Sequence, residues 1–253
     1  MKCKVITLPS ANERQTRIKE NFNNFEVPFS FENGILREDC SFVKENNKDY
    51  IICKNFKMFF NEEKHLSTIN RKFINFGEIG AYLAHYFIWK DFLNSNDDHI
   101  IICEDDAYLN NKIIVEDLFT DNVHFINLQS VTAHYEDKKK WHKLPFVEIK
   151  LPLVKYLNKI IIPTMCEGLA AYAIDKVGAK ILCDYIETNG YIGPNDWLIS
   201  QLALEGILEI YSPFEIDKYF TLDKKTYEYS FTHTGEFKTD IKFKEIELRT
   251  KCK

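Results

Sequence analysis

The sequence predicts a doubly wound α/β fold, and three features carry this prediction. Residues 99–103 form a continuous apolar run, which is typical of a strand covered on both faces of a parallel sheet. Similar runs occur at 4–8 and at 123–128. Residues 78–90 are apolar on nearly every side, as in a buried helix. Strands that alternate with helices in this order indicate an α/β protein.

The composition indicates a globular protein with enough apolar material for a core. Of the 253 residues, 45% are hydrophobic and 28% are charged, which excludes a disordered chain. The net charge of −5 gives no electrostatic reason to expect binding to nucleic acid. Seven cysteines without a C-x-x-C pair favour reduced thiols in a cytosol-like compartment. Because neither a signal peptide nor a membrane-length apolar run is visible, we expect a soluble, cytoplasmic protein.

Turn and capping signals divide the rest of the chain into elements. Pro9 ends the first strand, and Asn33-Gly34 ends a second extended segment. Asp175 is placed to cap one helix, and Gly206 to end another. The predicted elements are helices at 11–22, from 175 onwards and at 196–205, strands at 27–31, near 50–53, at 160–163 and at 168–174, and a long loop or lid at 131–159.

Three acidic residues, Glu104, Asp105 and Asp106, directly follow the most apolar strand. In open α/β sheets, ligands bind outside the carboxyl ends of the strands. Adjacent carboxylates repel one another unless a cation compensates, and Mg²⁺ or Mn²⁺ prefers such oxygen ligands and often binds substrate phosphates as well. The pattern therefore predicts a metal site for a nucleoside diphosphate; the alternative is a solvated acidic loop. Neither a P-loop nor a G-x-G-x-x-G pattern is present.

Several motifs, in order along residues 4–210, resemble glycosyltransferase family 25, the lipooligosaccharide and collagen galactosyltransferase family. The motifs are Ile6-Thr7-Leu8 with Arg14 and Arg17, the segment at 76–85 with Trp89, the segment at 101–107 that contains the acidic residues, the segment at 171–180, and Asn195-Asp196-Trp197.

The resemblance implies an inverting glycosyltransferase of the GT-A fold in a single domain, with a Rossmann-like half at 1–130 that binds the nucleotide-sugar and an acceptor-binding, catalytic half at 131–253. It also implies Mn²⁺ or Mg²⁺, a UDP-hexose donor, most often UDP-galactose, and a glycan or glycoconjugate acceptor, as in lipopolysaccharide biosynthesis. Ala81 and Ala84 stand where the family usually has Cys and Ser. This departure leaves a second hypothesis open, a catalytically decayed module that only binds a sugar or nucleotide.

Donor-site roles follow from the acidic residues and the end of the first strand. Asp106 is the predicted metal ligand, Asp105 the predicted ligand of the ribose hydroxyls, and Glu104 is expected to act through water or a neighbouring backbone group. The first strand end, at Leu8, is expected to face the nucleotide. Arg14 follows it, and its planar guanidinium suits a phosphate, although an exposed helix face is the alternative.

Asp196 is the predicted catalytic base, because an inverting transfer needs a carboxylate that accepts the proton of the attacking hydroxyl. A helix N-terminus would keep that carboxylate ionised. The alternative is that Asn195 or Asp196 is only an N-cap, and Glu167 is the reserve candidate for the base.

Two histidines have competing interpretations. His85 lies alone on an apolar helix, which is typical of a hydrogen-bonded core residue, whereas the family motif places it at the donor site. His233 is a candidate second metal ligand, with an exposed loop histidine as the alternative.

Overall fold

The computed structural model describes residues 1–69, 73–109, 119, 123–128, 157–160, 169–213, 220–222 and 246–247. The helices are Asn12–Asn21 (α1), Glu62–Ile69 (α2), Phe76–Leu93 (α3), Lys176–Asn189 (α4) and Asn195–Leu204 (α5), with short 3₁₀ turns at Phe22–Asn24 and Arg37–Asp39. The strands are Lys2–Thr7 (β1), Phe29–Asn33 (β2), Cys40–Glu45 (β3), Lys48–Cys53 (β4), Phe56–Phe59 (β5), Phe73–Ile74 (β6), His99–Glu104 (β7), Ala107–Leu109 (β8), Phe125–Asn127 (β9), Leu157–Ile160 (β10), Ala171–Asp175 (β11), Ile210–Pro213 (β12), Phe220–Leu222 (β13) and Ile246–Glu247 (β14).

A seven-stranded sheet with the order β10-β12-β9-β11-β7-β1-β2 forms the centre of the fold. Strand β1 is parallel to both of its neighbours, β2 and β7, and β9 is parallel to β12. Strand β11 is antiparallel to β7 and to β9, and β10 is antiparallel to β12. The predicted α/β fold is confirmed, and the mixture of strand directions agrees with the GT-A expectation.

Strand β7 shows that helices cover both faces of this sheet. Ile100 and Ile102 pack in a core with residues of α3, α4 and α5, whereas Ile101 and Cys103 pack in a second core with residues of α1. Side chains of a strand point alternately to opposite faces, so a strand buried on both sides reads as an unbroken apolar run. The run at 99–103 was predicted to be this kind of strand, and the prediction is confirmed.

The predicted buried helix is α3, which packs against the central sheet. Ten of its residues are buried, and they lie on all sides of the helix. The reason is that the central sheet, α4 and the segment around Ile35 surround it. The Asn75 side chain caps its start by accepting a hydrogen bond from the Gly77 backbone N–H at 2.8 Å. At Gly80 the Ile35 carbonyl comes so close that a Cβ would lie 2.3 Å from its oxygen. No described helix is both long enough and apolar enough to cross a bilayer.

The segment between residues 37 and 69 differs from expectation. Where the sequence predicts one short strand near 50–53, β3, β4 and β5 form an antiparallel sheet followed by α2. The β3–β4 turn uses Asn46 and Asn47, both with positive φ (50° and 62°). Asn-Gly is the usual signal for such a turn, and the half-exposed strands carry polar residues, so the sequence pattern is weak here.

The second half confirms two capping signals and corrects two other predictions. Asp175 caps α4 by accepting a hydrogen bond from the Gly178 N–H at 2.7 Å, and Gly206, with φ +69°, lies just after α5. The N-cap of α5 is Pro194, so the interpretation of Asn195 or Asp196 as the N-cap is wrong. Residues 131–156 of the predicted loop at 131–159 lie outside the described residues, and the last three residues of that prediction belong to β10. The predicted strand at 160–163 therefore begins earlier, at Leu157.

Candidate active site

The acidic residues lie at the carboxyl edge of the central sheet. Glu104 is the last residue of β7, and Asp105 and Asp106 form the turn that leads into β8. Strand β1 runs parallel to β7 with Ile6 opposite Glu104, so β1 ends beside these acids at Thr7. Parallel neighbours bring the ends of both strands to one edge, which is the place where α/β proteins bind ligands.

Asp105 is held from both sides by groups at the start of the chain. Its Oδ1 accepts a hydrogen bond from Arg14 Nη1 at 2.6 Å, and its Oδ2 accepts one from Thr7 Oγ1 at 2.7 Å. The two partners of this ion pair are only 11% and 10% exposed. The Arg14 guanidinium therefore faces Asp105. The predicted contacts of Asp105 with ribose and of Arg14 with phosphate stay predictions. Each side chain would have to make its ligand contact while it is bonded to the other.

Asp106 is in the opposite situation. Its Oδ1 has almost no solvent exposure and no hydrogen-bond partner in the described part of the chain. Burial, followed by the charges of Glu104 and Asp105, raises the pKa of Asp106 to about 8. An unpaired buried oxygen calls for an explanation, and an ion is one of the usual ones. A hard divalent cation fits this donor set, because it prefers carboxylate oxygens and leaves places for phosphate and water.

The protein ligands for such a cation are few. Within the described ranges, no group of three or more His, Cys, Asp or Glu side chains is arranged to hold a metal ion. Asp106 is therefore the candidate ligand among these residues, with the remaining places open to a ligand's phosphates and to water. His233, the predicted second ligand, and Glu167, the reserve base, lie outside the described residues.

Glu104 connects the edge of the sheet to the core below it. Its Oε1 lies 3.2 Å from Nε2 of the fully buried His85, while the Glu104 side chain itself is 37% exposed. Partial burial and then the charge of Asp105 raise the pKa of Glu104 above its usual range, against the lowering effect of Arg14. His85 is thus a hydrogen-bonded core residue, as one interpretation had it, and it also contacts the acidic cluster.

Two residues that the sequence analysis did not assign to the site lie behind His85. Tyr172 Oη is 2.7 Å from His85 Nδ1, and Trp89 Nε1 donates to the same Oη at 2.9 Å. Both side chains are fully buried. The sequence signal that could have pointed to them is that each belongs to a motif of the family resemblance, although burial alone explains their apolar surroundings.

A cleft of about 470 Å³ opens beside the cluster. Its lining includes Asp105, Arg17 and the exposed Tyr108. The Asn21 side chain fixes one wall by pairing with the backbone of Leu109, donating to its carbonyl at 3.0 Å and accepting from its N–H at 2.7 Å. This pairing fastens β8, and with it the acidic turn, against α1.

Leu8 and Asp196 each form hydrogen bonds with groups nearby in the sequence, and these bonds fix their positions. The Leu8 carbonyl accepts hydrogen bonds from Ala11 N–H at 2.9 Å and from the Gln15 side chain at 3.2 Å, which shapes the turn from β1 into α1. Asp196 is half-buried in the first turn of α5, where its Oδ1 accepts from the Trp197 N–H at 2.9 Å. The predicted donor contact of Leu8 and the predicted base role of Asp196 stay predictions.

A carboxylate cluster at the carboxyl edge of a mixed sheet, next to an open cleft, is the arrangement in which α/β proteins bind ligands. A family model described as glycosyltransferase family 25 (LPS biosynthesis protein) matches residues 1–199. The chain belongs to this glycosyltransferase family, as the resemblance predicted.

Two curated relatives come from Haemophilus influenzae. A putative glycosyltransferase of strain Rd is 26% identical over 208 residues, which are 81% of this chain and 63% of the relative. The lipooligosaccharide biosynthesis protein lic2B is 23% identical over 189 residues, 72% of this chain and 62% of the relative. The chain thus spans less than two thirds of the length of either relative.

Solved structures give only weak likenesses. A glycosyltransferase involved in the glycosylation of the major capsid of PBCV-1 has a TM-score of 0.31 at 12% identity, covering 75% of this chain and 68% of that one. Mouse xyloside xylosyltransferase 1 in its apo form has a TM-score of 0.29 at 11% identity, covering 81% and 69%. At these scores, neither likeness supports a conclusion about activity or ligand.

Proposed function

We propose that this chain is a metal-dependent, inverting hexosyltransferase that uses a UDP-sugar as donor and a hydroxyl of a glycan or glycoconjugate as acceptor. The observation that carries the proposal is the buried Oδ1 of Asp106 at the carboxyl edge of the sheet, which has no hydrogen-bond partner among the described residues. Membership of the lipopolysaccharide-type family supports the reaction class and an acceptor of the lipooligosaccharide kind. Galactose is the sugar that the family resemblance favours.

Asp106 and Asp105 have different roles in this proposal: the first binds the metal ion, and the second holds the turn in place. Asp106 would hold Mn²⁺ or Mg²⁺, which in such enzymes neutralises the charge of the departing diphosphate. Asp105, fixed by Arg14 and Thr7, keeps the turn in one conformation and leaves its outer lone pairs for the ribose hydroxyls. The nucleoside would occupy the cleft between α1 and β8, where Tyr108 offers an exposed aromatic ring.

Asp196 supplies the base in this scheme. The acceptor oxygen forms a bond to the anomeric carbon from the face opposite the diphosphate, the bond between that carbon and the diphosphate breaks, and the proton passes from the acceptor hydroxyl to the Asp196 carboxylate. Its place in the first turn of α5 supports this role, because backbone N–H groups and the helix dipole stabilise a negative charge there.

The test compares Asp106→Asn with the wild-type chain. We expect UDP to raise the melting temperature of the wild type only when Mn²⁺ is present, because binding to the native state stabilises it. The variant should lose this shift and lose transfer. Its own melting temperature should not fall, since the half-buried Asp106 carboxylate lies beside two other acids and has a raised pKa, so its charge does not stabilise the fold. Thermal shift and release of UDP from UDP-galactose and UDP-glucose are the measurements.

Asp184→Asn is the matched control, because Asp184 is an exposed carboxylate of α4 that pairs with Lys180 on the surface. It should behave as the wild type in both assays. Transfer at the wild-type rate in Asp106→Asn would contradict the proposed metal site. Binding of UDP-sugars by the wild type without transfer to any acceptor would favour the decayed binding module that Ala81 and Ala84 suggest.

A further inference from the structure

A series of three hydrogen bonds runs through the core to the acidic cluster. Trp89 Nε1 lies 2.9 Å from Tyr172 Oη, Tyr172 Oη lies 2.7 Å from His85 Nδ1, and His85 Nε2 lies 3.2 Å from Glu104 Oε1. The first three side chains are fully buried. We refer to these four residues as the buried relay.

Two elements assemble the relay where α3 packs on the sheet. His85 and Trp89 are four residues apart on α3, so their side chains lie one above the other on one face. Tyr172 is on β11, opposite Ile102 of β7, two residues before Glu104. Stacking on His85 at 5.6 Å and on Phe125 at 5.0 Å holds the Tyr172 ring in place.

We propose that all hydrogen bonds of the relay are donated in one direction, each residue donating to the next from Trp89 to Glu104. Trp89 and Tyr172 are then positioning residues that act on Glu104 through His85. The indole of tryptophan can only donate a hydrogen bond, so the Tyr172 oxygen must accept there. The hydroxyl proton of Tyr172 is then directed to its other close neighbour, His85 Nδ1.

The tautomer of His85 determines which group donates in the hydrogen bond to Glu104. Burial lowers the pKa of His85 to about 3, so the ring is neutral and carries one N–H. Since Nδ1 accepts from Tyr172, the proton sits on Nε2 and is donated to Glu104 Oε1. In the other neutral tautomer, Trp89 and His85 would both donate to the Tyr172 oxygen, so the Tyr172 proton could not be donated to Nδ1. The Nε2 lone pair would also point toward the Glu104 carboxylate oxygen, which is repulsive.

The consequence for the site is a Glu104 carboxylate held in one orientation. Glu104 is the member of the relay with solvent access, so an N–H that enters from the core fixes one oxygen and leaves the other for a ligand. This role of Glu104 rests on the proposed function, whereas the direction of the relay does not. Partners that orient a group at a metal site commonly change affinity by about 10-fold or more when removed.

The direct test is the tautomer of His85, read by nitrogen NMR on the protein labelled with ¹⁵N-histidine. In the wild type we expect the Nε2–H tautomer at neutral pH. Tyr172→Phe removes the donor to Nδ1, so the Nδ1 resonance should move toward that of a ring nitrogen without a hydrogen bond, while the proton stays on Nε2 beside Glu104. Tyr82→Phe is the matched control: it removes a buried tyrosine hydroxyl from α3, bonded to the Gly190 carbonyl at 3.4 Å and outside the relay, and it should leave His85 unchanged.

Trp89→Phe is the second variant, in case Tyr172→Phe does not fold. It removes the obligatory donor of the relay, so the hydrogen bond from Tyr172 to Nδ1 should weaken and the Nδ1 resonance should move in the same sense. An Nδ1–H tautomer or an imidazolium in the wild type would overturn the proposed direction. So would ring nitrogens in both relay variants that match those of the wild type.

Binding of UDP with Mn²⁺ tests the positioning role separately. Tyr172→Phe should weaken binding by about 10-fold, and Tyr82→Phe should not. Unchanged binding in Tyr172→Phe would overturn the positioning role even if the His85 resonances change. If the wild type binds no UDP with Mn²⁺, the proposed function fails, while the NMR result still decides the direction of the relay.

Discussion

Three neighbouring carboxylates experience three different environments. Asp105 accepts hydrogen bonds on both oxygens, Asp106 has a buried oxygen with no partner in the described part of the chain, and Glu104 contacts the buried His85. Three like charges in a row would repel one another anywhere in a protein. Arg14 neutralises one of them, Asp105, and we propose that a cation neutralises Asp106.

The Arg14–Asp105 pair yields a stability prediction at this scale. Arg14→Gln leaves an almost buried carboxylate without its cation, so the free energy of unfolding should fall by about 3 kcal/mol. Urea unfolding is the measurement. Lys19→Gln, an exposed change on the same helix whose ammonium lies 5.6 Å from the Phe31 ring, should cost under about 1 kcal/mol.

The double variant Arg14→Gln/Asp105→Asn separates lost charge from lost packing. If an uncompensated charge causes the loss, the double variant should recover most of it, because the unpaired carboxylate is gone. A double variant as unstable as Arg14→Gln alone would contradict this explanation.

At the scale of elements, close backbone approaches join the small β3–β4–β5 sheet to the helices of the main body. Gly190 ends α4 with φ +73°, and a Cβ there would lie 2.1 Å from the Phe59 carbonyl oxygen. The next residue, Tyr191, donates its N–H to the same oxygen at 2.8 Å. The contact therefore requires glycine both for its φ and for its missing side chain.

Gly206 provides the matched comparison. It has a similar φ of +69°, and a Cβ added there would meet no atom of the described residues within 4 Å. Gly206→Ala should therefore cost about 1 kcal/mol from backbone strain alone. Gly190→Ala should cost about 2 kcal/mol more, since β5 must also move. Thermal and urea unfolding measure both, and equal losses would show that the close approach can relax freely.

At the scale of the whole molecule, the candidate site is assembled from distant parts of the chain. The sheet order places β7 between β1 and β11, so Thr7 bonds directly to Asp105, and Tyr172 is linked to Glu104 through His85. Within this arrangement we propose two separate tasks, donor binding at the sheet edge and proton acceptance by Asp196 in the first turn of α5.

Asp196→Asn tests that separation. The variant should bind UDP with Mn²⁺ as the wild type does but lose transfer by at least about 100-fold, because an amide does not accept the proton of the acceptor hydroxyl. Titration calorimetry for the nucleotide and a transfer assay give the two readouts. Loss of nucleotide binding instead would assign Asp196 to the donor site or to the scaffold.

Much of the fold could be predicted from local pattern. The apolar run of β7, the all-apolar surface of α3 and the Asp175 cap each depend on neighbours within a few residues, and each prediction is confirmed. The position of the acidic residues at a strand end could be predicted for the same reason. The β3–β4–β5 sheet could not, because its Asn46-Asn47 turn lacks glycine and its strands are half-exposed.

The sequence alone therefore determined which segments become strands and helices and where along the chain the acids lie, because periodicity and capping act over one or two turns. Only the tertiary structure decided that Arg14 and Thr7 donate hydrogen bonds to Asp105, that Asp106 has an oxygen without a partner among the described residues, and that Tyr172 is linked to Glu104 through His85. These partners are separated by up to about a hundred residues, and only the order of strands in the sheet brings their side chains within hydrogen-bond distance.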